Sequence, residues 1–187
     1  MNKNTEIISI TESAIMIALA VAFEFIVKSV GFLTMPQGGS FSLTMLPIMI
    51  IGLRRGIKYG LLTGLIYGFL NFVIDGFILH WGSLFLDYLF AFSVIGLTGL
   101  FKNKAKNNIL FLVISILVVS LMRYTLHVLS GILFFREYLD TDGTILADII
   151  ASLSYNIIYM LPSTLLCLIV GVLSRRIIYF NLKENIN

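Results

Sequence analysis

Long apolar stretches broken by short polar punctuation run the length of the chain, and residues 38–68, GGSFSLTMLPIMIIGLRRGIKYGLLTGLIYG, hold that pattern in miniature. A Gly/Ser turn after Pro36 leads into an apolar run. Arg54, Arg55 and Lys58 interrupt it, and apolar residues then resume. This order describes a membrane hairpin whose bend faces the cytoplasm. The same reading along the whole chain predicts helices at 10–32, 42–53, 57–74, 83–101, 108–135 and 146–179, in one membrane domain covering 1–187. The expected fold is an all-α, integral membrane six-helix bundle. The lead 1–6 has neither the positive start nor the cleavage site of a signal peptide, so the first helix is expected to remain in the mature protein.

Several breaks carry local expectations. Residues 33–41 contain Pro36, paired glycines and no Lys or Arg, which predicts a loop or re-entrant turn. The second helix is short for a full span, and Pro47 should start or kink it. Pro162 should interrupt the last helix, and the three lysines Lys102, Lys104 and Lys106 should form a basic turn. Gly60, Gly64 and Gly68 make a GxxxGxxxG face that points to close helix packing. Ala14, Ala18 and Ala22 recur every four residues on the first helix; this face suits either a neighbouring helix or a separate docking protein.

Composition confirms the class and narrows it. The 187 residues are 58% hydrophobic, with a mean hydropathy of +0.98, above what a water-soluble domain of this size carries. Two-residue alternation of the barrel-strand kind is absent, so the spans must be helices. The net charge of +3 does not signal nucleic acid, because the cations sit at the ends of apolar segments. Lys3, Arg54, Arg55, Lys58, the three lysines after the fourth helix, Arg175, Arg176 and Lys183 fall on one side, and the opposite loops offer Arg136. Both termini are therefore expected in the cytoplasm of a multi-pass cell membrane protein. A single cysteine, Cys167, excludes an intrachain disulfide and a cysteine-based metal cage. No phosphate loop, HExxH, metal-ligand spacing or GxSxG turn is encoded, so no metal, cofactor or enzymatic activity is expected. The chain is also small for the paired repeats of secondary transporters; if it moves a solute, it needs a partner.

Ionisable residues within spans are costly, which makes Asp87, Arg123, His127 and Glu24 the candidates for a site. Asp87, beside Tyr88 at the outward end of the fourth helix, suits a cationic ligand, or it serves as a helix N-terminal acid or an ion-pair partner of Arg123. Glu24 and Lys28, one turn apart, are placed to pair. His127 and Arg123 share a face of the fifth helix and suit a ligand contact or a structural polar cluster. Asn156, after Tyr155, offers a donor and an acceptor to a heterocycle, or bridges two helices. Phe41, Tyr67, Tyr88, Phe135 and Tyr155 lie toward the outer ends of their segments, as interface belts also do. Together these residues suit a flat, cationic, nitrogen-rich molecule.

Four segments carry a resemblance. MPQGGSFSLTMLPIMIIGLRRGIKYGLLTGLIYG, LFLDYLFAFSVIGLTGLF, RYTLHVLSGILFFREY and SLSYNIIYMLPS, taken in order, resemble the thiamine-specific substrate-binding (S) components of energy-coupling factor (ECF) transporters, the ThiT or YuaJ family. The resemblance covers nearly the whole chain. It implies a subunit of a prokaryotic plasma membrane that captures extracellular thiamine with high affinity and does not transport alone. A partner module, one transmembrane coupling protein and two ATPases, supplies the energy. It further implies that Ala14, Ala18 and Ala22 dock the coupling protein, that Asp87 pairs with the thiazolium cation and that Tyr88 helps to enclose it. His127 and Asn156 would hydrogen-bond the ligand, Tyr67 and Phe135 would stack on it, and Gly131 would leave room beside the ring, with Tyr155 nearby. Three departures stand out: some members have Trp where Tyr67 and Phe135 stand, some have Glu where Asp87 stands, and many have Tyr where Ala151 stands. Rival readings are the same scaffold binding another vitamin or a pyrimidine precursor, a small intramembrane enzyme using Asp87 and His127 as acid and base, and a ligand-free scaffold subunit.

Overall fold

A computed structural model of the chain describes residues 3–77, 79–138 and 143–180. Lys183, which entered the charge reading, lies outside the described residues. The described residues are helical apart from loops, turns and an isolated bridge between Thr34 and Ser40. Among the described residues five helices are long and apolar enough to cross a membrane: α1 (Lys3–Val30), α3 (Ile57–Asp75), α4 (Trp81–Asn107), α5 (Ile109–Phe134) and α6 (Ile145–Leu173). Between α1 and α3 lies α2 (Met45–Arg55), whose 11 residues rise about 16 Å and cannot cross alone.

The helix ends differ from the sequence expectation for reasons that can be named. α1 starts at Lys3 instead of residue 10 because its early hydroxyls are absorbed by the helix: Ser9, Thr11 and Ser13 donate to the carbonyls of Thr5, Ile7 and Ser9. α2 starts at Met45 instead of 42 because Ser42 and Thr44 bond each other at 2.8 Å and the Ser42 amide donates to Ser163 Oγ. Pro47 falls in the first turn, where its missing N–H has no helical partner to lose.

The expected basic turn at 102–106 is helical and belongs to the end of α4. Ala105 is fully buried there, and Lys104 lies over the Phe111 ring at 5.3 Å, so packing holds the lysine stems in a helix. Asn108 then caps α5 by accepting from the Leu110 amide. Pro162 does not interrupt α6, which ends at Leu173 with Ser174 as its cap, before a short helical turn, Arg175–Ile178.

The apolar α2 is the centre of the packing: Met45, Ile48 and Met49 are fully buried in one core cluster with residues of α4, α5 and α6, and Ile51 is fully buried as well. The glycine face of α3 packs against α4, as the GxxxGxxxG run predicts. A side chain at Gly60, Gly64 or Gly68 would meet the backbone oxygen of Gly96, Phe92 or Tyr88 respectively. This seam fixes the depth of Tyr88 and Phe92. At one end of the molecule Glu12 of α1 is held by Arg55 at 2.5 and 2.6 Å and by Arg54 at 3.0 and 3.3 Å, and Arg54 also donates to the carbonyl of Ile178.

Candidate functional site

At the other end, α1, α3, α4, α5, α6 and the loop 33–41 surround a cavity of about 870 Å³, open mouth included. Asp87 and Tyr88 enter it from a π-helical turn, Leu84–Phe90, within α4. Such a turn widens the helix by one residue and is frequent where side chains are aimed at a site. His80 caps the start of α4, its Nδ1 accepting from the Gly82 amide at 2.9 Å.

The Asp87 carboxylate is held on both oxygens. His127 Nδ1 lies 2.9 Å from Oδ1, and Ser130 Oγ donates to Oδ2. Arg123 Nε donates to His127 Nε2 at 3.1 Å, and its guanidinium lies 4.1 Å over the Phe92 ring. Since Arg123 has no acceptor to offer, Nε2 must accept, and the imidazole proton sits on Nδ1, directed at Asp87. The carboxylate is thus oriented by neutral donors, and the guanidinium reaches it through the imidazole. Opposite, the buried Glu24 takes Ser40 Oγ at 3.4 Å on each oxygen, and Lys28 donates to the carbonyl of Ile74 at 3.3 Å.

Aromatic residues form the rim. Phe77 lies 6.0 Å from Phe135 and 6.3 Å from Tyr138, ring centre to ring centre, and the Tyr88 hydroxyl fixes the Phe77 backbone by accepting its N–H at 2.7 Å. Tyr155 closes the loop side: its hydroxyl accepts from the Gln37 amide and donates to the Gly38 carbonyl, both at 3.0 Å. Gly38 and Gly39 have φ of 90° and 93°, a region in which a side chain is strained, and a Cβ on Gly39 would also strike the Tyr159 ring.

Of the residues expected to bind solute, Asp87, Tyr88, His127, Gly131, Phe135, Tyr155 and Asn156 line this cavity, together with Glu24 and Arg123. Tyr67 does not. It is fully buried, edge-on to Phe92 at 4.7 Å; Phe92 is the one of the pair that reaches the lining, with the Arg123 guanidinium over its ring. The space beside Gly131 is taken by Ser152, whose hydroxyl would lie 2.2 Å from an added Cβ and which donates to the Val128 carbonyl. Gly131 therefore admits α6 close to α5. Ala151 is half-buried and not part of the lining, whereas Tyr159, two turns further along α6, is. Sequence reasoning missed Tyr159, Phe92, Ser152, Asn71, Phe77, Tyr138 and Gln37. For three of them a signal existed: Phe92 is one turn from Tyr88, and Ser152 and Tyr159 flank Asn156 on one helical face.

The family profile for thiamine transporter protein (Thia_YuaJ) matches residues 10–180. The chain belongs to this family. It is 39% identical over 180 residues to the thiamine transporter ThiT of Bacillus subtilis (strain 168), covering 91% of each chain. A solved structure of ThiT from Listeria monocytogenes superposes with a TM-score of 0.80 at 26% identity, over 94% of this chain and 96% of that one. Membership in Thia_YuaJ makes the protein a multi-pass membrane transporter, and the Asp87–His127 pair part of a transporter and not of an enzyme.

Proposed function

We propose that the chain is the thiamine-capturing subunit of an ECF-type importer and that the cavity above is its binding site. The observation that carries this reading is the Asp87 carboxylate: it faces a cavity, is aligned by His127 and Ser130, and is not neutralised by a direct ion pair with a guanidinium. A carboxylate held at the wall of a largely enclosed cavity by neutral donors is costly until a counter-charge arrives. Thiamine supplies one permanent positive charge on a flat ring. Phe77, Phe135 and the ring of His127 offer flat surfaces to its two rings.

Energy input belongs to partners. Ala14, Ala18 and Ala22 are exposed together on α1, the face a transmembrane coupling protein would cover, and the two ATPases would act through it. In this arrangement Glu12, Arg54 and Arg55 mark the cytoplasmic end and the cavity opens outside. Cofactors and metals are not needed by this subunit itself.

Isothermal titration of the purified chain tests the reading. Asp87→Asn keeps the shape, removes the charge and should weaken thiamine by roughly tenfold to a hundredfold. A neutral hydroxymethylpyrimidine should bind weakly and respond little to the substitution. Thiamine binding that is indifferent to Asp87→Asn would dismiss the charge pairing; a pyrimidine bound as tightly as thiamine would favour the precursor as ligand.

A further inference from the structure

The end of the bundle away from the cavity gathers cations that the described residues do not neutralise. Lys102 and Lys106 stand one turn apart on one face of the last helical segment of α4, and Lys102 also feels the charge of Arg55 at the end of α2. Arg175, just beyond α6, joins them: its Nη2 donates to the Lys106 carbonyl at 2.8 Å, and its other nitrogens bond nothing among the described residues. Glu12 has no charge to spare for them, since Arg54 and Arg55 hold both of its oxygens. Among the described residues neither lysine pairs with an acid. The end of the helix offers little in place of an acid, because the Asn108 amide takes the Lys104 carbonyl at 2.9 Å and Arg175 takes that of Lys106. Like charges at this spacing repel, yet the buried Ala105 fixes the segment that carries them.

We infer that Lys102, Lys106 and Arg175 form a binding site for the headgroup phosphate of an anionic phospholipid in the leaflet at this end of the bundle. Exposed apolar side chains adjoin each cation in the sequence: Leu100 precedes Lys102, Ile109 and Leu110 follow Lys106, and Leu173 and Ile177 flank Arg175. Charge at the end of a span with bare hydrocarbon beside it matches a molecule that carries its own charge above its own hydrocarbon. A soluble phosphate would answer the cations and leave the apolar surface uncovered. The two ammonium groups act as mobile point charges, and the guanidinium offers a planar edge to phosphate oxygens. One phosphodiester charge among three positive ones relieves their repulsion. A zwitterionic headgroup brings an ammonium of its own to the same place and loses much of that gain. A lipid seated here joins the ends of α4 and α6, which Arg175 and Lys106 already bring together, and it touches no residue of the thiamine cavity.

Native mass spectrometry of the full-length chain in a non-ionic detergent, titrated with phosphatidylglycerol and with phosphatidylcholine of the same acyl chains, tests the site. The unsubstituted chain should retain the first at least about tenfold more tightly, the scale set by two or three cations at a charged surface. The double variant Lys102→Gln, Lys106→Gln should bring that preference down toward unity. Lys3→Gln, which removes an exposed cation of α1, should leave it in place. Glycerol 3-phosphate, a headgroup without chains, should not displace the bound lipid at equal concentration. Equal retention of the two lipids by the unsubstituted chain overturns the inference, whether or not the double variant folds, and would turn these cations over to an acidic protein segment. A preference that survives the double substitution overturns it too, and displacement by glycerol 3-phosphate would make this a site for soluble phosphate and not for lipid.

Discussion

His127 Nδ1 lies 2.9 Å from Asp87 Oδ1, and the contact has a fixed sense because Arg123 occupies the other ring nitrogen. α5 supplies Arg123, His127 and Ser130 from one face, and the π turn of α4 brings Asp87 across to meet them. A neutral imidazole placed this way orients the carboxylate without cancelling its charge. His127→Phe retains a flat ring and deletes both nitrogens, leaving Asp87 with the Ser130 hydroxyl and Arg123 without its acceptor. Thiamine binding should weaken by about 1.5–3 kcal/mol, the usual contribution of a hydrogen bond to a charged group. Titration calorimetry measures it, and a Kd within error of the unsubstituted protein would remove His127 from the recognition of the cation.

The glycine seam predicts a coupling between packing and binding. At Gly64 an added Cβ would sit 2.2 Å from the Phe92 carbonyl oxygen and 2.8 Å from Ser93 Cα, and backbone atoms cannot step aside as a side-chain tip can. Gly64→Ala must separate α3 from α4, which carries Tyr88 and Phe92 into the cavity lining. The expected cost is about 1–3 kcal/mol of stability, seen as a lower thermal midpoint in detergent, together with weaker thiamine binding. Leu65→Ala, next to it on the exposed side of α3, is the control and should change neither.

How much of this was legible in the sequence follows from which signals are local. Apolar length, the cationic punctuation at Arg54, Arg55 and Lys102, and the four-residue spacing of Gly60, Gly64 and Gly68 are read along one strand of text, and they gave the all-helical membrane class and the α3–α4 contact. Asp87, His127 and Asn156 could be singled out because a polar group inside a span has few innocent uses. Tyr67 was misplaced because the choice between it and Phe92 depends on which of two packed aromatics faces the cavity, and neither residue type nor position along a helix decides that. The π turn at Leu84–Phe90 is likewise invisible to a 3.6-residue period: it comes from a tertiary demand, the need to bring Asp87 to α5. The basic segment at 102–106 looked like a turn, because lysines were counted as charges and not as the apolar stems that pack beside Ala105.

The Tyr155 hydroxyl ties the loop 33–41 to α6 through the Gln37 amide and the Gly38 carbonyl. Tyr155→Phe keeps the ring and releases both bonds. Two neutral hydrogen bonds at about 1 kcal/mol each set the scale, so the loop should open more often and thiamine should dissociate about tenfold or more faster. Association should change less, because the loop does not need the hydroxyl to be open. Stopped-flow mixing separates the two rates, and an unchanged dissociation rate would mean that this loop does not retain the ligand.

Glu12 offers the opposite case, a strong interaction far from the cavity. Arg55 grips its carboxylate through two nitrogens at 2.5 and 2.6 Å, Arg54 adds two longer contacts, and Arg54 also reaches Ile178, so one carboxylate fastens α1 to the end of α2 and, through it, to the turn Arg175–Ile178. All three side chains are largely shielded, at 23% exposure for Glu12, 15% for Arg54 and 13% for Arg55, so solvent screens the contacts less than it would on an open surface. Glu12→Gln keeps the length and one acceptor oxygen but leaves two adjacent guanidiniums without their counter-charge. Stability should fall by about 1.5–3 kcal/mol, read as a lower unfolding midpoint in detergent that recovers little with thiamine beyond the shift ligand gives the unsubstituted protein. Thiamine affinity should stay within about twofold, since Asp87, His127 and Asn156 are held by contacts of their own at the far end of the bundle. A large loss of affinity with Glu12→Gln would show instead that the two ends are coupled through α1, whose Glu24 lines the cavity.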